Sequence, residues 1–360
     1  MLSQLNLTTF PPGAGLLLLA AVIVYAVSRS MADLLQRGRT DVTPGRLAIA
    51  TCVPVLAMSL FAAIYSQNAG MALGVVLGTA LGSLVLVNGV ALLNANVSLE
   101  SAPVGAKGFQ FLLPVALALL VLGFGARIGL TEAGLLLLLG YVVRGVWTED
   151  VERARDTIDQ TITATEPLKV DRFRPMRWVL TIGLALIGGW LAVQAAETIG
   201  TSKRQLSPGV VAVTLLPAMA TLPAVGIATL LARTSRVGVA VTTQAATAMT
   251  LLTVVLPLTV AGWTAGQYGR KFLSQLSTSE STVATQSVSP FVHEVDYTMT
   301  AMPFGVGLWR IETLLLVALS LPLIPLANGR WLPGRSEGVS LLVGYVFYMM
   351  IVVLMGDRWH

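Results

Sequence analysis

A chain of 360 residues that is 55% hydrophobic and only 11% charged is not an ordinary water-soluble domain, in which about a quarter of residues carry charge. The net charge of +5 comes from basic residues scattered through short connections rather than gathered on one face, which excludes a nucleic-acid surface. One cysteine, Cys52, and two histidines, His293 and His360, exclude an intramolecular disulfide and a multi-histidine metal centre; no cofactor is implied.

Taken in order, the apolar runs approach or exceed the roughly 20 residues needed to cross about 30 Å of hydrocarbon. The first segment, MLSQLNLTTFPPGAG, has no basic residue, and no cleavage-like ending follows its apolar run, so a removed signal peptide is not expected. Spans are predicted at 13–28, 44–65, 69–93, 109–126, 130–147, 178–199, 207–232, 237–262, 309–327 and 337–355. Pro-interrupted stretches such as LLPAMATLP are candidates for broken helices. The expected fold is an all-α polytopic membrane protein of ten transmembrane helices, with the lipid bilayer as its solvent.

Lys and Arg in alternate loops orient the set. With the loop 148–177 in the cytoplasm, 16 of the 23 basic residues fall inside, among them Arg29, Arg37, Arg144, Arg233 and Arg335. Both termini are then extracytoplasmic, and the plasma (inner) membrane is the expected location. The chain divides into a five-helix repeat at 1–147, a cytoplasmic connector at 148–177 and a second five-helix repeat at 178–360, which includes an extracytoplasmic loop at 264–308. Five spans on each side of the connector place the halves in opposite orientations. A weak internal repeat agrees: an offset of 164 pairs Pro44-Gly45 with Pro208-Gly209, Asp33 with Glu197 and Thr79 with Thr243. TEAGLLLLLGYVV (131–143) likewise resembles SEGVSLLVGYVF (336–347).

The second, third, seventh and eighth spans combine Pro, Gly, Ser and Thr near their middles. Proline frees backbone carbonyls and hydroxyls add neutral oxygens, the ligands a hard cation takes. The same residues also permit close helix packing, and both readings stand at this point. The candidate ligands are Ser59, Thr79, Ser83, Thr221, Thr243, Gln244 and Thr247.

These helices resemble the sodium/calcium exchanger family of cation antiporters, whose two inverted α-repeats each carry a G-T-S-L-P-E-L-like helix and then a G-N-x-x-G-S-N-like helix. The resemblance rests on AMSLFAA and MATLPAV, on GTALGSL in the third span, and on YAVSRSMADLLQRGRTDVTPG matched by WLAVQAAETIGTSKRQLSPG. It implies two inverted repeats, antiport and a cation site between spans 2, 3, 7 and 8. The departures are as informative. Where the resemblance implies a cation-binding Glu after each S-L-P, this chain has Ala62 and Ala224, and the Asn or Asp of the following helix is missing around Thr79, Leu84, Thr243 and Ala248. A divalent ion stripped of water needs anionic ligands to offset a desolvation cost of tens of kcal/mol in the Born limit. Calcium exchange by the usual carboxylate site is therefore not expected, whereas a monovalent cation or small solute fits neutral oxygens.

The remaining charged residues read more plainly. Glu132 and Glu337 stand at span starts, where a carboxylate favours a helix N-terminus. Asp33 and Glu197 occupy matching places at the ends of the first and sixth spans. The segment 148–177 alternates charge signs and reads as a partly helical connector. His293, Glu294 and Asp296 are a weak metal signal, three ligand types in four residues with no distant partner. The expected activity is secondary transport rather than enzymatic chemistry. A transport-inactive scaffold or complex subunit is the alternative, with a membrane partner or a second copy of the chain as its associate. Drug/metabolite transporters, also two halves of five, are a rival fold whose usual cytoplasmic termini conflict with the charge bias.

Overall fold

The computed structural model describes residues 12–36, 44–95, 110–159, 174–201, 208–233, 237–279 and 301–355, apart from 329 and 332. Its helices fall into successive rods. The first half holds α1 (Pro12–Gln36), α2 (Pro44–Phe61, prolonged by a π-helical turn, Ala62–Ser66), and α3, which runs from Ala69–Gly82 through a π turn at Ser83–Val87 to Asn88–Leu93. It continues with α4 (Leu112–Leu122, ending in a 3-10 turn, Gly123–Gly125) and α5 (Leu130–Asp159). The second half holds α6 (Arg174–Thr201), α7 (Pro208–Arg233) and α8, which runs from Val237–Thr250 through a π turn at Leu251–Val255 to Leu256–Ser279. It closes with α9 (Val306–Ser320, followed by Leu323–Ala327) and α10 (Arg335–Met355).

Among the described residues, eight helices are long and apolar enough to cross a membrane, and Leu112–Gly125 is a shorter apolar helix. The membrane-helical architecture is the expected one, with eight qualifying helices where the apolar runs suggested ten crossings. Several helices run past the predicted spans, α1 to Gln36 and α5 to Asp159 among them. The segment taken as a loop from residue 264 begins as helix, because nothing in WTAGQYGRKFLSQLSTS breaks the ladder, so α8 runs on to Ser279. A short pair of antiparallel strands also joins the two halves, with β1 (Arg127–Ile128) against β2 (Met302–Pro303).

Opposed residues give the direction of each helix. Cβ atoms built on Gly13 and Gly188 would stand 2.7 Å from Ile199 and 2.9 Å from Ile23, and Ser30 Oγ lies 2.9 Å from Thr181 Oγ1. The first helix of one half thus runs antiparallel to the first helix of the other. The packing is symmetric as well: α1 lies against α6, α4 against α9, α3 against α7 and α10, and, in exchange, α8 against α2 and α5. These are two inverted five-helix repeats. The matching glutamates repeat the relation locally. Glu132 Oε2 accepts from Gly129 N and Thr131 Oγ1, both at 2.9 Å. Glu337 Oε2 accepts from Gly334 N at 2.8 Å and Ser336 Oγ at 2.9 Å. Each carboxylate takes up donors at its helix start, the structural role its position suggested.

The core is closed by an unusually near approach of α3 and α7. Gly74, Gly78 and Gly82, one turn apart, face Val213, Pro217 and Thr221, with the same spacing. A Cβ on Gly78 would meet Pro217 Cγ at 2.6 Å and Val213 O at 2.9 Å, so backbone lies on backbone, as small-residue stripes allow in membranes. At the far side of the bundle, the indole of Trp309 rests on Gly123, where a Cβ would lie 1.8 Å from Nε1, and stacks on Phe304 at 4.4 Å. Overpacking the stripe is expected to be costly. Gly78→Ala should destabilise the protein by about 1–3 kcal/mol and lower its apparent melting temperature in detergent. Gly15→Ala, with nothing within 4 Å of the new Cβ, should leave that temperature unchanged or raise it.

Candidate functional site

All seven candidate ligands are buried, but they do not form one ring. Thr221 reaches the α3–α7 crossing, its Oγ1 within 3.9 Å of the point where a Cβ on Gly82 would stand. Tyr345 of α10 brings its hydroxyl within 3.7 Å of the same point. At that crossing Pro217, which has no N–H, leaves Val213 O out of the helix ladder. At the α2–α8 crossing, Cys52 Sγ approaches Thr247 O at 3.8 Å. Ser59 is drawn elsewhere: Thr259 Oγ1 donates to its Oγ at 2.8 Å, and Thr259 lies twelve residues, about 18 Å of helix, beyond Thr247.

Most of the hydroxyls are satisfied within their own helix. Thr79 donates to Val75 O at 2.6 Å, Thr243 to Val239 O at 2.7 Å and Thr247 to Thr243 O at 2.8 Å. Thr221 donates to Ala218 O at 2.9 Å and Ser59 to Leu56 O at 3.1 Å. Such back-bonding uses the hydrogen and leaves the oxygen lone pairs able to accept. Four buried side chains have an oxygen without a partner among the described residues: Ser28 Oγ on α1, and Ser83 Oγ, Asn88 Oδ1 and Gln244 Oε1. Ser83 begins the π turn of α3 and Asn88 follows it, and this part of α3 packs against the first section of α8, which carries Gln244. Orphaned buried oxygens are costly unless something accepts their lone pairs. A bare cation does that without needing a charged protein group nearby.

Asn88, which the sequence reading did not single out, stands one turn beyond Leu84 and directly follows the five-residue π turn Ser83–Val87. Nothing in the run LGSLVLVNG announces that turn. The places where the resemblance implies acids are closed alanines, Ala62 at 0% and Ala224 at 1% exposure. A carboxylate does lie inside the bundle, unremarked by the motif reading: Glu312 on α9, 1% exposed. It sits in the apolar span Trp309–Leu326 and accepts a hydrogen bond at 2.9 Å from Tyr348 of α10.

Glu197 lies at the end of α6 and accepts from Ser66 Oγ and, at 3.4 Å, from Gln194 Nε2. It thus binds the end of α2 to α6, while the side chain of Asp33 is outside the described residues. His293, Glu294 and Asp296 also lie outside them. Among the described residues no group of three or more His, Cys, Asp or Glu could hold a metal ion.

Residues 177–354 match the family described as sodium/calcium exchanger protein. Among solved structures, the H+/Ca2+ exchanger CAX superposes with a TM-score of 0.67 at 13% identity, over 97% of this chain and 84% of that one. The sodium-calcium exchanger NCX_Mj, soaked with Na+ and Sr2+, superposes with a TM-score of 0.58 at 18% identity, over 94% of this chain and 97% of that one. No curated protein sequence matches the chain. The α2–α8 contact makes a direct test of local geometry. Ser59→Ala and Thr259→Val should each cost about 0.5–1.5 kcal/mol, and the double variant should cost less than their sum, as read by thermal unfolding in a double-mutant cycle.

Proposed function

We propose that this chain, whose residues 177–354 match the sodium/calcium exchanger family, is a secondary transporter of that family moving a monovalent cation or another small solute by alternating access. The binding place is the centre of the bundle, where α3 meets α8. The observation that carries the reading is the set of orphaned oxygens, Ser83 Oγ, Asn88 Oδ1 and Gln244 Oε1, buried on those two helices. Val213 O, released by Pro217, and the back-bonded Thr79, Thr221, Thr243 and Thr247 extend the supply of neutral oxygen from α3, α7 and α8. Ser59, held by Thr259, belongs to the packing of α2 on α8.

Charge selects the cargo class. The Born penalty of a buried ion rises with the square of its charge and is of order 20 kcal/mol for a single unit charge in a medium of low dielectric. Neutral dipoles offset a singly charged ion far more readily than a doubly charged one. With Ala62 and Ala224 at the acid positions, a Ca2+ ion would have no anion at this centre. The charge bias of the loops supports an orientation with both termini extracytoplasmic and a place in the plasma (inner) membrane. The halves at 1–147 and 178–360, joined by the connector, are the units that rock about the centre.

A scaffold role is the second reading, favoured by the back-bonding of most hydroxyls, which lets the helices pack without a ligand. Flux in proteoliposomes separates the two. The transporter reading expects saturable uptake of Na+, K+ or a small solute, reduced about tenfold by Gln244→Leu, the effect of removing a ligand worth about 1.4 kcal/mol. Absence of flux for every monovalent cation and solute would favour the scaffold. Sodium-driven, saturable Ca2+ uptake would overturn the choice of cargo. A C-terminal reporter should label from outside the cell, and cytoplasmic labelling would reverse the orientation.

A further inference from the structure

Glu312 is not explained by the packing around it. It is 1% exposed, inside an apolar span, and its hydrogen bond is the one that Tyr348 donates to Oε1 at 2.9 Å. Among the described residues, the elements packed most closely against α9 bring it no positive charge. The α4 segment Leu112–Leu122, the turn Gly123–Gly125, the Ala69–Gly82 section of α3 and the helix Leu323–Ala327 contain no titratable residue. From α10 come Tyr348 and, beside it, Tyr345, with ring centroids 6.1 Å apart; Arg335 and Glu337 begin that helix, more than two turns away from Tyr345. On α9 itself Arg310 is exposed and stands about 200° round the helix from Glu312. A carboxyl group in such surroundings has lost its water and faces no cation among the described residues; Oε1 accepts from Tyr348, which leaves Oε2 to hold a proton.

The same three residues lead to the α3–α7 crossing at Gly82, the residue next to Ser83 of the proposed centre. The hydroxyl of Tyr345 reaches the Gly82–Thr221 contact, where α3 and α7 cross. Its ring neighbours that of Tyr348, whose hydroxyl ends on Glu312. We propose that Glu312 is a proton-binding site, linked by Tyr348 and Tyr345 to the α3–α7 crossing, through which the transporter exchanges a proton against its cargo. In the state seen here the acid is closed off and keeps its proton. When the crossing opens to one face, Tyr345 and Tyr348 move with it, water reaches Oε2, and the proton leaves to that water as a cation enters the centre. The carboxylate crosses back with the cation's charge to offset its own, and at the other face the cation leaves and water returns a proton to Oε2. One proton released at one face and one taken up at the other, for one cation carried the opposite way, balances the cycle.

The proposal rests on the transporter reading for its coupling but not for the proton site itself, so two measurements are needed. In infrared difference spectra recorded on a pH change, the wild-type protein should show the carbonyl band of a protonated carboxylic acid, lost in Glu312→Gln and moved to higher frequency in Tyr348→Phe. In proteoliposomes loaded with a pH-sensitive dye, an imposed cation or solute gradient should drive proton movement in the wild type. Glu312→Gln should abolish that movement while retaining cargo self-exchange, and Glu312→Asp should restore part of it. A wild type without the band, or a Glu312→Gln variant that keeps it, overturns the proton site. Cargo flux that carries no protons, or proton flux untouched by Glu312→Gln, overturns the coupling and leaves the transporter reading standing. If no cargo moves at all, it is that reading which fails, and the coupling falls with it; the infrared arm still decides the proton site.

Discussion

Everything in this bundle depends on how closely α3 and α7 can approach. Glycines at 74, 78 and 82 bring the backbone of one helix onto Val213, Pro217 and Thr221 of the other. In a bilayer, apolar side chains gain little from leaving lipid for protein, so helices associate through such contact. The approach also puts Val213 O, which Pro217 cannot bond, at the heart of the fold. A structural contact and a source of ligand oxygen are here the same pair of surfaces.

The second constraint is polar accounting without water. Backbone groups are settled by the helices themselves, and threonines settle most of their hydroxyls by donating four residues back, as Thr79, Thr243 and Thr247 do. Two sets of exceptions bear on function. Ser83, Asn88 and Gln244 retain unpartnered oxygens where α3 meets α8, and Glu312 retains an acid where α9 meets Tyr348. Oxygens of the first kind suit an ion that brings its own charge. An acid of the second kind suits a proton, which removes a charge. Among the described residues, the buried acid stands on α9, while Ala62 and Ala224 lie closed at the end of α2 and in the middle of α7.

Much of the architecture is legible in the sequence because long apolar runs have few other uses: the starts of α2 and α7 at Pro44 and Pro208 fall where the repeat of Pro-Gly placed them. Helix ends in water are less so. The extension of α8 to Ser279 has no hydropathy signal, since a helix outside the membrane needs only the absence of a breaker. Register within the site is hidden for another reason. A π turn changes the residue count per turn without a distinctive residue, so the place of Asn88 beside Ser83 cannot be counted off from regular helix periodicity. Glu312 escaped a motif reading confined to four helices, although a single acid in an apolar run is by itself a strong sign. The pairing of Ser59 with Thr259 is a tertiary fact, 200 residues apart, which no local pattern encodes.

The two glutamate caps bear on which parts of the chain stay fixed when the bundle rearranges. Gly129 to Glu132 and Gly334 to Glu337 each contain, within four consecutive residues, both the acceptor and the donors that fix a helix start. Neither needs a distant partner. The start of the last helix in each half is therefore set by its own sequence and survives any rearrangement of the helices around it. One local cap serves α5 and α10 alike, although the inverted halves present it at opposite ends of the bundle.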